Sequence, residues 1–478
     1  MLTGASIWIS CHNAGDHSLI VVESLMSNED RELIAHLLRR SGFSANHSDI
    51  NSALKVGYEK TVENLLDPTT NEGTYEDLLD RFHSEHCDEE SPRWSAVKWV
   101  FRMINTKNPL EEKITLMWHG VFATGWAKVT NGPMMTGQYE MLREHGLGNF
   151  RTLLQKLSRD PAMLYWLDQQ TNHADAVNEN YGRELLELFS MGRGNYTEDD
   201  VRSCARAFSG WTITHVLPRY PTGYWPSEFV YNSDDHDDNE KTFLGETGNF
   251  NGDDVIDIIV KQPATSRFVA QEIYRFFVAD EIDDNAVDQI ANAYLTNKYE
   301  IRDVLRFVFN SDFFKSARFN RVKSPIEFIV GTVQLAGQHR SPHQFGLAKL
   351  AELSSMMGQE LLNPPTVEGW HTGREWIDSA FLVERLNFAT EKLSDPKSPG
   401  IIEISNRIGT ERSTITRENL LDLCASEFVC VDLDDSTRTV LLQELSLDDD
   451  VKCKGAEFAS AVAEVLTMIS TSKEYQML

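Results

Sequence analysis

Apolar residues spaced three and four apart run through this chain from residue 29 to residue 470, and that period restricts it to helices almost throughout. Segments such as 29–40, 110–126, 177–191, 198–209, 263–277, 323–336 and 379–393 each carry an apolar stripe with polar residues opposite. Many follow Ser, Thr, Asp or Asn, whose side chains satisfy the open N–H groups of a first turn, and several stop at Gly. The expected fold is all-α, a large multi-helix domain. One region departs from the period. At 211–251 aromatic and β-branched residues alternate with turn residues, which predicts a small inserted β-hairpin or a long ordered loop.

The 478 residues are 41% hydrophobic and 10% aromatic, enough for a substantial core. Residues 1–25 hold no Lys or Arg and no apolar run of signal-peptide type, so they are expected to be disordered or an over-extended gene start. A folded domain is expected from Met26, where Ser27 caps a helix striped by Leu33, Ile34, Leu37 and Leu38. It should run through residues 26–393. SDPKSPG (394–400) reads as a linker, and 401–478 as an acidic helical segment packed on the main domain.

A formal charge of −28, with no basic run longer than Arg39-Arg40, argues against duplex nucleic acid and anionic membrane as partners. The six scattered cysteines fit free thiols in a reducing compartment, and no stretch is long and apolar enough to span a bilayer. Cytoplasmic localisation is the resulting expectation. There is no P-loop, dinucleotide fingerprint, GxSxG elbow, HExxH or haem motif, so no nucleotide or haem cofactor is indicated, while a divalent metal fits the residue types below.

VNENYGRELLELFSMGRGNYTEDDV (177–201) is the densest polar cluster. On a helical wheel Val177, Tyr181, Leu185, Leu188 and Phe189 share one face, and Glu179, Arg183 and Glu187 form a ladder on the other. Glu184 is the exception, at the rim of the apolar face, where a carboxylate needs a donor. It is either the member of a buried ion pair, whose truncation would cost about 3–5 kcal/mol, or a functional acid. Asn178 and Asn180 stand where Asn caps well and propagates poorly.

Other candidates are spread along the chain. EEKITLMWHGVFATGW (111–126) is apolar nearly all round, which buries His119 as a core imidazole, a general base or a metal ligand. His145 ends a helix before two glycines. SDDHDDNEK (233–241) is rich in metal-ligand types, with His236 and Asp237 as candidate ligands and Lys241 available to a carboxylate. It is not an EF-hand, because Asn239 stands where that loop needs Gly, and a plain surface turn explains it as well. LLNPPTVEGWHTGREWI (361–377) sets Trp370 and Trp376 beside Gly369 and Gly373, a pattern for stacking a ligand or for wedging a loop into the core.

Taken together, MWHGVFAT (117–124), LREHGLGNF (142–150), DPAMLYWLD (160–168), NENYGRELLELFSMG (178–192), YTEDDVRSCARAFSGW (196–211), HDDNEKTFLG (236–245), RVKSPIEF (321–328) and NPPTVEGW (363–370) resemble the bacterial domain-of-unknown-function 1800 family, in order and spacing, from about residue 30 to 390. The resemblance implies a mainly α-helical domain, and it marks Glu179, Asn180, Arg183, Glu184, His119, His145, His236 and Lys241 as positions matching family motifs. The family carries no established biochemical role to transfer. Many members look exported, whereas residues 1–25 here show no signal-peptide pattern, which keeps the expectation cytoplasmic.

Two functions compete. One is an enzyme, a hydrolase or metal-assisted catalyst, with Glu184, Glu187 and His119 catalytic, Arg183, Asn180, Glu179, His145, Lys241 and Trp370 binding ligand, and His236-Asp237 holding metal or forming a lid. The other is a scaffold or partner-binding protein whose polar motifs are structural salt bridges.

Overall fold

The computed structural model describes residues 16–68, 76–84, 91–214, 227–410, 412–427 and 433–478, with side chains for the same residues except 16–28 and 76–77. Helices dominate these residues, and the strands among them form three two-stranded antiparallel sheets. No helix among them is long and apolar enough to cross a membrane. The first helix, Asp16–Ser41, continues past the cap expected at Ser27; residues 1–15 of the expected disordered or over-extended start lie outside the described residues.

The expected β insertion is present. Trp211–Ile213 pairs with Phe229–Tyr231, and Lys241–Phe243 turns through Leu244 and Gly245, both at positive φ, into Glu246–Gly248. Residues 215–226, also part of the expected insertion, lie outside the described residues. A third sheet, Thr414–Thr416 with Asp450–Lys452, was not legible in the sequence because three-residue strands leave no period to read.

Two large apolar cores form. One gathers residues from Phe43 to Tyr475, the other from Leu37 to Ala317, and Trp166 and Phe276 pack against both. The helix Pro109–Val121 runs between them, giving Leu116 to the first and Met117 and Trp118 to the second. This is why its sequence is apolar all round. It stops at Val121, not at 126 as the period predicted. The chain leaves the helix to pair with another segment: the Trp126 N–H donates to the Leu362 carbonyl (3.0 Å) and the Ala127 N–H to Asn363 Oδ1 (3.1 Å).

The C-terminal part joins the first core. The helix Gly455–Ser470 packs on Ser379–Leu393, Pro399–Gly409 and Arg417–Glu427, and the Tyr475 ring meets Phe328 at 5.5 Å. Residues 394–400 form a tight turn, with the Ser398 N–H on the Asp395 carbonyl (3.0 Å), and Pro399 opens the next helix.

Candidate functional site

The polar helix is shorter than its pattern, Asn180–Glu187. Its asparagines serve the turn before it. Asn178 Nδ2 donates to Thr171 Oγ1 (2.9 Å), Asn178 Oδ1 accepts the Asn180 N–H (3.0 Å), and Asn180 Nδ2 donates to the Leu167 carbonyl (3.0 Å). Gly182 lets the helix Glu198–Ala207 approach closely: a Cβ there would lie 3.0 Å from the Ala205 nitrogen. Arg183 grips Glu198 with two nitrogens (2.8 and 2.7 Å) and reaches Glu179 at 3.4 Å. Glu187 does not join that ladder. It turns to Arg193 (2.5 Å) and the Tyr196 hydroxyl (2.8 Å), which hold its carboxyl below the usual range.

Glu184 has no hydrogen bond or ion pair among the described residues. Burial, then the neighbouring Glu187, pushes its carboxyl up. The buried ion pair that would make it structural is missing. Glu184→Gln is therefore expected to leave stability within about 0.5 kcal/mol of the parent or to raise it, read by urea unfolding; a loss of about 3 kcal/mol or more would restore the ion-pair account.

The remaining candidates separate. His119 is fully buried, its Nε2 accepts the Leu362 N–H (3.1 Å), and its ring meets Trp99 and Trp370 edge-on. Burial lowers it to about 3, so the imidazole is neutral, and because Nε2 accepts, the proton sits on Nδ1. His145 is half-buried at its helix end, with Glu144 at 3.9 Å. Asp237 is engaged by Arg206 Nε (2.6 Å) and by both nitrogens of Asn239; burial would raise its carboxyl, but these donors hold it well below the usual range. His236 Nδ1 meets the Ser209 carbonyl, and the buried Lys241 amine donates to the carbonyls of Asp237 and Asn239, tying the loop shut. Among the described residues no three His, Cys, Asp or Glu side chains gather as a metal-ligand set.

Glu187, Trp370 and the glycine after His119 do come together. They line a cleft of about 490 Å³ on the seam between the two cores. One wall is Met117, Gly120 and Val121 of the Pro109–Val121 helix. The second is Phe268, Glu272, Arg275 and Phe276, successive positions on one face of the helix Pro263–Phe277. The third is the loop 367–376 with Trp370 and Trp376, and Asp280 and Arg321 also line the cleft. The loop docks through glycine: Gly369 sits at φ +89°, and a Cβ on it would lie 2.3 Å from the Gly120 carbonyl oxygen.

Glu272 is half-buried, raised by desolvation against the pull of Arg275 at 3.0 Å. Asp280 is likewise raised by burial, although its Oδ2 accepts the Val322 N–H (2.8 Å). Behind the cleft Glu327 is buried with Lys113 and Arg321 both donating to Oε1. A larger groove of about 1070 Å³ lies between His47, Gln334 and Arg407, but its charges are mutually paired, Arg340 with Glu403 (2.6 Å) and Arg407 with Glu427 (2.7 Å).

Sequence reasoning reached Trp370 and Glu187 and placed Trp376 in the same loop pattern. It missed Glu272, Asp280 and Arg321, whose one local signal was Phe268, Glu272 and Phe276 recurring every four residues beside a half-polar helix face. No curated protein and no solved structure matches the chain. A sequence model described as "Protein of unknown function (DUF1800)" matches residues 36–477, nearly the whole chain, and the protein belongs to that family.

Proposed function

We propose that the protein binds a small organic molecule in the tryptophan-walled cleft, with Glu272 placed to exchange a proton with it. The observation that carries this reading is the convergence on one concave site of three separate stretches: the His119-Gly120 helix, the end of the Asn180–Glu187 helix and the Gly369–Trp376 loop. Volumes of about 300–1,000 Å³ with apolar walls and a few polar groups are usual for ligand sites. Glu272 supports a proton-exchange role because it lines the cleft and desolvation raises its carboxyl against the pull of Arg275, the direction a proton-exchanging acid needs. For Arg183, Glu179, Asn180, His236, Asp237 and Lys241 the contacts favour the structural reading.

A thermal-shift panel of small neutral, cationic and anionic organic molecules tests the reading. A ligand at a hundred times its Kd adds about 2.7 kcal/mol. At least one panel member is expected to stabilise the protein saturably, and Val121→Trp, which fills the cleft, should abolish that shift. A shift that survives Val121→Trp, or no shift across the panel, counts against it.

A further inference from the structure

Negative charge is in surplus on the wall of the cleft. The lining carries five carboxylates, Glu187, Glu272, Asp280, Glu281 and Glu368, against three guanidinium groups, Arg275, Arg321 and Arg374. The arginines offset little of this inside the cleft. Arg321 is buried and donates to Glu327. Arg374 and Glu281 stand 4.0 Å apart on the exposed rim, where water and salt screen both. Arg275 is matched one to one with Glu272 (3.0 Å). Asp280, Glu187 and Glu368 are left on the wall without a lining arginine of their own.

The surplus is greatest at one corner. Glu187 and Glu368 come from separate elements and share one cation, Arg193, at 2.5 and 2.8 Å. Glu184, one turn before Glu187 on the same helix, adds a third carboxylate. Burial first, then Glu187 and more weakly Glu368, push its carboxyl up, and no donor among the described residues reaches it. Arg183, the other cation near it, is held by Glu198 and Glu179. Three carboxylates therefore draw on Arg193, whose own side chain is largely exposed. Leu188 adjoins Glu187 in sequence and Val367 adjoins Glu368, and both line the cleft together with Val121 and Trp370. A concave site that sets an indole beside surplus carboxylate suits an organic cation: the ring face attracts positive charge and the carboxylates accept its N–H groups.

Resting on the ligand-site reading above, we infer that the ligand is a compact organic ammonium with an apolar or aromatic body. The ammonium lies between Glu187 and Glu368, within the field of Glu184. The body lies along Trp370 and Val121.

Titration calorimetry with three matched probes tests this: phenylpropylamine, phenylpropionamide and phenylpropionate. The amine is expected to bind about tenfold tighter than the amide, as a charge-assisted hydrogen bond with a cation–π contact requires, and the carboxylate should bind weakest. Glu368 is exposed and its pair with Arg193 is a surface one, so Glu368→Gln leaves the fold intact. It should weaken the amine about fivefold and leave the amide unchanged. Glu184→Gln, neutral for stability, should weaken the amine about twofold through the lost field. Amide or carboxylate binding as tightly as the amine overturns the inference while leaving the cleft a ligand site. Amine affinity unmoved by both substitutions overturns it, and so does amine binding that survives Val121→Trp, since that lies outside the cleft. If none of the three binds, the wider panel decides. A cation among its cleft ligands supports the inference, neutral or anionic ligands alone overturn the cation assignment, and silence across the panel overturns the ligand site too.

Discussion

Glu327→Gln is expected to lower stability by about 3–5 kcal/mol, the cost of leaving buried cations without their counter-ion. Glu327 opens the helix Pro325–Ala336 in a capping box, where Ser324 Oγ accepts the Glu327 N–H and Glu327 Oε2 accepts the Ser324 N–H (2.7 Å). Its other oxygen accepts from Lys113 and Arg321. Glutamine keeps one oxygen for the cap or for the cations, not the charge for both. The Lys113 and Arg321 cations would then stand over the Phe276 ring (5.2 and 5.3 Å) with no carboxylate between them. Urea unfolding of the variant measures the loss; a change under about 1 kcal/mol would mean that water already solvates the cluster.

The pH dependence follows with a definite sign. Burial would raise the Glu327 carboxyl, but Arg321 and Lys113 overcome it and hold it at about 2, against an ordinary 4.5. A depressed acid contributes stability that is complete above its unfolded value and is lost as pH falls through the folded one. Glu327's share is therefore present above pH 4.5 and disappears toward pH 2. His119, lowered to about 3 from 6.5 by burial, adds to acid lability over the window between those values, because the unfolded imidazole takes the proton first.

Gly369→Ala is the second large effect, expected to cost about 3 kcal/mol or more and to abolish ligand binding in the cleft. Two penalties combine. At φ +89° an alanine sits outside the regions open to L-residues, a strain of about 1–3 kcal/mol. Its Cβ would also lie 2.3 Å from the Gly120 carbonyl oxygen, backbone inside a buried helix that cannot retreat. The loop must lift, and Trp370 moves with it. That ring meets His119 at 5.1 Å, so the wall of the cleft and the packing of the central helix are disturbed together. Gly120→Ala is the informative control: its Cβ would lie 3.7 Å from the Trp370 ring, ordinary contact. Thermal unfolding of both variants, with binding of the best panel ligand, is the measurement. Equal behaviour of the two would contradict the docking account.

The helices were legible because burying one face leaves a periodic trace. Their ends were less so. The Pro109–Val121 helix was overextended because Phe122 and Trp126 continue the apolar pattern after the backbone has turned to meet Leu362 and Asn363, a partner more than two hundred residues away. Asn178 and Asn180 were read as capping types, but the N-cap is Glu179 with no side-chain bond to the first turn; the two asparagine amides donate instead to Thr171 and to the Leu167 carbonyl. Glu184 was marked as odd by its wheel position, and the absence of any donor to it among the described residues sharpens that oddity.

The site was legible by half. Trp370 announced itself by standing beside a glycine in a proline-rich stretch. Glu272, Asp280 and Arg321 did not, since each looks like an ordinary polar residue until the fold sets it beside the tryptophans. Glu327 offered a usable signal that went unread: Ser-Pro-Ile-Glu before an apolar run is a capping box, and no surface cap would explain Lys113, in the middle of an apolar helix, as its partner.

A crystal structure with the tightest panel ligand tests the central claim most directly. The account predicts density between Trp370 and Trp376, within reach of the Glu272 carboxyl. Density in the larger groove beside His47, Gln334 and Arg407, with the tryptophan-walled cleft holding only solvent, would contradict it.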